Sequence, residues 1–337
     1  MKAGRIIREL RDRSRPEPFG TESERSIVIS IYYPIEAEPV SESARTIGYA
    51  DLFAPAADKA LRTLSGMGVD PDHLKQMESG IIPDASPKRT LARLPVMLYS
   101  PAYGVVKDMY NYNILQLVND GFIVVAVGST HESIFTVFPD GRFLPQANEV
   151  SSIRNDDFAK WNELLNARTA DLRFVLNELE RLNRIEESAC SCELQSLFDM
   201  SRIGVVGHSL GGAAAVAVLR NDPRIRCAVL MDPSFHLIPE LDGGPITKPV
   251  LLMRQQLISR DELQGRMSAE LLEPFITGYE KLASSLSGLR SIVSIPGTGH
   301  MSFCDVPLHF NEADAETNHA AINRTMSVFM SALYGQD

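Results

Sequence analysis

One tryptophan and four cysteines are spread over 337 residues, and nowhere does a run of about eighteen apolar residues occur. Without such a run no hydrophobic helix can span a bilayer, so stable membrane insertion is not expected. Basic residues are also scarce. The 33 Lys and Arg stand against 43 Asp and Glu, giving a net charge of −10 and a pI near 5.3. No cationic surplus is available to neutralise phosphates, which excludes nucleic acid as the expected partner. Met1 to Arg5 leads into the charged stretch Arg8 to Arg15 with no apolar core of a secretory signal, so a cytoplasmic location is expected. Cys190-Ser191-Cys192 has C-x-C rather than C-x-x-C spacing, and no histidine pair accompanies it. Free thiols are therefore expected, with Cys227 buried at the start of an apolar strand. No phosphate-binding glycine loop, nicotinamide fingerprint or metal-ligand cluster is present, so the expected cofactor is none and the expected metal none.

What the chain does contain is alternation. Short apolar strands read at Ile27–Tyr33, Pro95–Tyr99, Phe122–Val127, Ile203–Val206, Cys227–Met231, Pro249–Met253 and Arg290–Ile295. Helical patterns fall between them at Tyr110–Asn119, Asp157–Leu182, Ala213–Leu219 and Asp261–Leu286, with a last one at Ala320–Leu333. Strands apolar on both faces and separated by helices imply an α/β fold, a mostly parallel sheet covered on both sides. One domain, 1–337, is expected. Within it 1–93 is expected to carry N-terminal strands and an irregular and helical cover, 94–337 the catalytic core, and 256–286 a lid segment. Arg5 to Phe19 reads as a charged lead-in to a turn, and Ala56–Ser65 and Pro71–Glu78 as short surface helices.

The densest signal is Gly207-His208-Ser209-Leu210-Gly211, which follows a β-branched strand and precedes an alanine-rich helix. This is the setting of a G-x-S-x-G nucleophile elbow, where a serine stands at the tip of a strained strand-to-helix turn. A serine hydroxyl needs a base within reach and an acid to orient it. Asp232 follows the strand Cys227–Met231, and His300 lies in a glycine-flanked loop after the last strand. Both occupy carboxyl ends of strands, where such sheets carry their chemistry. Asp261 or Glu262 is the alternative acid. Backbone N–H groups of Leu210 and Tyr103 are the candidate oxyanion donors. His131, His236, His309 and Phe303 are candidates for lining the pocket. His208 reads as scaffold inside the elbow, and His73 and His319 as surface residues.

At these positions the chain resembles the platelet-activating-factor acetylhydrolase-like branch of the α/β-hydrolases. The resemblance runs through Arg13–Phe19, Ile31–Pro34, Leu98–Ser100 with Tyr103-Gly104, Phe138–Gly141, Gly207–Gly212, Leu230–Asp232 and Gly299–Asp305. It implies an acid shortly after the nucleophile, which favours Asp232. It also implies a cofactor-free serine esterase acting through an acyl-enzyme on a short-chain, acetyl or phospholipid-like ester. Pro101-Ala102 departs from the family's usual His-Gly, although polyester hydrolases carry a related Pro-Gly-Tyr turn. The expected partner is thus a small-molecule ester or thioester. A thioesterase, lactonase or acyltransferase with the same residues is the alternative, and a non-catalytic ligand-binding homologue the third reading.

Overall fold

The computed structural model describes residues 1–36, 46–88, 93–184, 194, 197–238, 244–256, 259–265 and 268–335. Cys190 and Cys192 lie outside them. Among the described residues there are ten strands: β1 (Gly4–Asp12), β2 (Arg25–Tyr33), β3 (Leu94–Ser100), β4 (Ile123–Val127), β5 (Phe135–Val137), β6 (Phe143–Pro145), β7 (Phe198–His208), β8 (Ile225–Met231), β9 (Val250–Arg254) and β10 (Arg290–Ser294). Eight of them form one sheet in the order β1-β2-β4-β3-β7-β8-β9-β10. From β4 to β10 all neighbours are parallel, while β1, β2 and β4 pair antiparallel.

Because side chains alternate across a strand, each central strand feeds two cores. Val96, Leu98 and Val205 face the layer built by the helices Phe158–Arg184 and Leu210–Asn221. Met97, Tyr99 and Val206 face the layer of Asn111–Asn119 and Ala315–Tyr334. The N-terminal helix Ala57–Gly66 and the 3-10 turn Tyr49–Phe53 pack onto the second layer through Leu64, Tyr49 and Phe53.

Three elements depart from the sequence expectation. Arg5 to Asp12 is a full strand rather than a charged lead-in, and it pairs with β2 from Gly4↔Tyr33 to Asp12↔Arg25. It is a terminal strand of the sheet, where charged side chains can reach solvent and a continuous apolar run is not needed. The loop around Pro139-Asp140-Gly141 is the turn of the small β5–β6 hairpin, with Gly141 at φ +89°. The helical region expected at Asp261–Leu286 appears as Arg260–Gln264 and Ala269–Ser285.

Candidate active site

The elbow forms where β7 ends at His208 and the helix Leu210–Asn221 begins. Ser209 has φ 55° and ψ −121°, a backbone conformation that costs a non-glycine residue about 1–3 kcal/mol and persists only when its surroundings enforce it. Two glycines permit it. A Cβ on Gly207 would collide with the Gly211 carbonyl, and one on Gly211 with the carbonyl oxygens of Ser100 and Pro101. The elbow therefore packs backbone against backbone on the turn that follows β3.

Three side chains meet at the carboxyl ends of the strands. His300 Nε2 lies 3.0 Å from Ser209 Oγ, and His300 Nδ1 lies 2.6 Å from Asp232 Oδ2. Ser209 and Asp232 are buried, whereas the His300 side chain is 41% exposed. The same Asp232 oxygen also accepts from Gln255, whose side-chain Nε2 donates to Oδ2 across 3.0 Å. A carboxylate so fixed accepts from Nδ1–H and leaves Nε2 free to take the serine proton. Asp261 and Glu262 play no part in this line. They sit on the exposed helix Arg260–Gln264, where the Glu262 carboxylate accepts from the Ser259 N–H at 2.8 Å as a helix cap.

Around Ser209 opens a cavity of about 610 Å³. Tyr103, Trp161, His236, Leu263, Leu271 and Phe275 give it an apolar and aromatic wall. Neither the Leu210 nor the Tyr103 N–H has a protein acceptor among the described residues, and both residues line the cavity. Burial, with His300 as a smaller cause, pushes the His236 ring down to about 4. It therefore faces the cavity as a neutral imidazole.

Other expected positions fall elsewhere. His131 does not line this cavity; its Nε2 lies 3.3 Å from Glu22 Oε2, a partner over a hundred residues earlier. Phe303 is fully buried and packs its ring 5.8 Å from that of His208. The short helical turn His300–Phe303 sends the two side chains in different directions, so only His300 meets Ser209. His309 borders a separate apolar cavity of about 190 Å³ that shares Tyr103 and Met301 with the first. His73 is half-buried against the Leu308 carbonyl. His319 is not on the surface: it is fully buried, with ring nitrogens 3.1 Å from both Asn113 Oδ1 and the Cys304 carbonyl.

The scaffold reading of His208 has a specific geometry. Its Nε2 donates to the His300 carbonyl across 2.9 Å, and its Nδ1 lies 2.9 Å from the Tyr110 hydroxyl. Sequence reasoning missed Tyr110, Trp161, Ser234, Gln255 and Arg168. Gln255 had a readable signal, since it directly follows β9 at the same end of the sheet as Asp232. Ser234 Oγ stands 3.3 Å from Ser209 Oγ. Among the described residues no group of three His, Cys, Asp or Glu is placed to hold a metal ion, and no helix is long and apolar enough to cross a membrane.

A mostly parallel sheet with a strained serine between its fifth-placed strand and the following helix defines an α/β-hydrolase. A ferulic acid esterase from Streptomyces cinnamoneus shares this fold, with a TM-score of 0.73 and 24% identity over 98% of this chain and 89% of that one. Residues 20–315 match the family of platelet-activating factor acetylhydrolase, isoform II, and the chain belongs to that family. The platelet-activating factor acetylhydrolase of Cavia porcellus is 22% identical over 275 residues, 75% of this chain and 60% of the relative. That of Canis lupus familiaris is 23% identical over 237 residues, 65% of this chain and 50% of the relative. The chain thus spans between half and three-fifths of the length of these relatives.

Proposed function

We propose that this protein is a serine hydrolase of carboxylic esters, working as a single α/β domain through an acyl-enzyme. The observation that carries the reading is the position of His300, 3.0 Å from the Ser209 hydroxyl and 2.6 Å from the Asp232 carboxylate. Ser209 Oγ attacks the ester carbonyl as its proton passes to His300 Nε2. The same proton goes to the departing alkoxide when the C–O bond breaks, leaving an acyl-serine. Water then repeats the sequence and releases the acid. Asp232 holds the imidazole tautomer and stabilises the imidazolium that forms. The N–H groups of Leu210 and Tyr103 receive the negative charge of the tetrahedral intermediate, Leu210 from the positive end of its helix.

The cavity supports an ester with an apolar group next to the carbonyl. Among the described residues no Lys or Arg lines it, so an anionic group held against its walls meets no counter-charge. The named activities of the relatives support a short acyl chain. Leu263, Leu271 and Phe275 come from the helices Arg260–Gln264 and Ala269–Ser285, which thereby supply part of the cavity wall.

The test is hydrolysis of p-nitrophenyl esters from acetate to decanoate by the wild type and Ser209→Ala. Turnover that peaks at short chains and disappears in the variant is the expected result. A wild type that is silent, yet labelled at Ser209 by a fluorophosphonate, would shift the reading to acyl transfer or thioester and lactone chemistry. A protein neither active nor labelled would end the esterase reading.

A further inference from the structure

A buried cation donates to two carbonyls of the turn Ser100–Tyr103. Arg168 projects from the helix Phe158–Arg184 and is 3% exposed. Its Nη1 donates to the Pro101 carbonyl, and its Nη2 to the Ala102 carbonyl across 3.1 Å. Glu132 grips the other edge of the guanidinium, with Nε 2.8 Å from Oε2 and 3.0 Å from Oε1, and with Nη2 also donating to Oε1.

A trans peptide is planar, and its C=O and N–H point in opposite directions. The Ala102 carbonyl and the Tyr103 N–H belong to one peptide. Drawing that carbonyl toward Arg168 turns the Tyr103 N–H away from the helix. The preceding peptide is fixed at both ends, since its carbonyl accepts from Arg168 and the Ala102 N–H donates to the Tyr110 hydroxyl at 2.7 Å. Arg168 does not line the cavity around Ser209.

We infer that Arg168, anchored by Glu132, is a positioning residue that aims the Tyr103 N–H at the developing oxyanion. This rests on the esterase reading of Ser209. Guanidinium suits the task because its planar fork serves two carbonyls and a carboxylate at once, whereas a lysine ammonium lacks that geometry. A misdirected oxyanion donor is felt in the transition state rather than in the bound ester. Its loss should therefore lower kcat and leave KM nearly unchanged.

The experiment uses Arg168→Lys, which keeps the buried charge pair with Glu132, and normalises every rate to active sites titrated with a fluorophosphonate. The expected result is a fall in kcat of about tenfold to a hundredfold per titrated site, with KM within about threefold. Affinity for a trifluoromethyl ketone, which forms a tetrahedral oxyanion on the serine, should weaken by the same factor as kcat/KM. The control is Arg25→Met. Arg25 is equally buried and paired with Glu17 and Asp171, but its backbone acceptor is the Thr130 carbonyl. That variant should lose thermal stability and keep kcat per titrated site. An Arg168→Lys protein with wild-type kcat, or one whose ketone affinity is unchanged, would overturn the inference. So would an Arg25→Met protein that loses kcat equally. Failure of the esterase reading itself would appear earlier, as absent turnover in the wild type.

Discussion

Tyr110 and His208 share one hydrogen bond that joins the two sides of the candidate site. The Tyr110 hydroxyl accepts from the Ala102 N–H and donates to His208 Nδ1, while His208 Nε2 donates to the His300 carbonyl. Burial holds the His208 ring far below its ordinary pKa, so it remains neutral and a single tautomer satisfies every contact. The turn bearing Tyr103 and the loop bearing His300 are thus registered against each other through two buried side chains.

Tyr110→Phe should loosen that registration. It strands the Ala102 N–H and His208 Nδ1, and a buried group without its partner costs about 1–3 kcal/mol. A lower Tm and a kcat reduced by about tenfold are expected. Thermal unfolding beside steady-state kinetics checks this, and an unchanged pair of values would contradict it.

The acid can be identified by substitution. Asp232→Asn should reduce kcat by about 10³ to 10⁴, because an amide no longer enforces the Nδ1–H tautomer of His300. Asp261→Asn should leave the rate as it is. Equal losses in both variants would mean that the 2.6 Å contact with His300 is not the operative one.

Gly211→Ala is expected to damage the site without touching any reacting group. The added methyl meets the Ser100 and Pro101 carbonyl oxygens, which belong to backbone and cannot rotate away. Overpacking of this kind costs about 1–3 kcal/mol, and here the displaced turn carries Tyr103. The measurement is kcat/KM per titrated site, expected to fall by about a hundredfold; a fall in stability alone would count against it.

Stability should decline as the pH is lowered from 7 to 5. Burial pushes His236 and His319 down to about 4, His309 to about 3, and His208 well below its ordinary value of 6.5. Between 6.5 and those values the unfolded chain binds protons that the folded chain refuses, so falling pH favours unfolding. Asp305 acts in the opposite sense. Burial raises it to about 7 from an ordinary 3.8, although bonds from Tyr49, Asn111 and Tyr112 oppose the shift. Over that range the folded state keeps a proton that the unfolded state has lost. Four histidines outweigh one carboxyl, and Tm measured at constant ionic strength should drop. A Tm that rises toward pH 5 would mean Asp305 dominates.

Much of this candidate site was legible in the sequence because a serine–histidine–aspartate arrangement uses particular residue types at strand ends. Ser209 sits between two glycines at the end of an apolar strand, and Asp232 and His300 each follow one. The rest depended on partners that no local pattern reveals. His319 lies in the polar-looking run Glu316–His319 and is buried because Asn113 and the Cys304 carbonyl meet both ring nitrogens. His131 turns to Glu22 instead of the cavity. Arg168 falls within the helical stripe of Leu164, Leu165, Leu172 and Val175. A charge at a core position was a signal, but its targets, the carbonyls of Pro101 and Ala102, could only be seen in three dimensions.

The charged strand β1 has a consequence for how molecules of this protein meet. As a terminal strand it carries backbone groups that another chain could extend into a larger sheet. Arg8, Glu9 and Arg11 are strung along it, and Glu9 is tied to Arg11 and Arg142. Joining two such edges in antiparallel register would bring a mixed row of desolvated charges together, so this border of the sheet resists fibril-like growth. The composition that hid the strand from sequence reading is what guards it against aggregation.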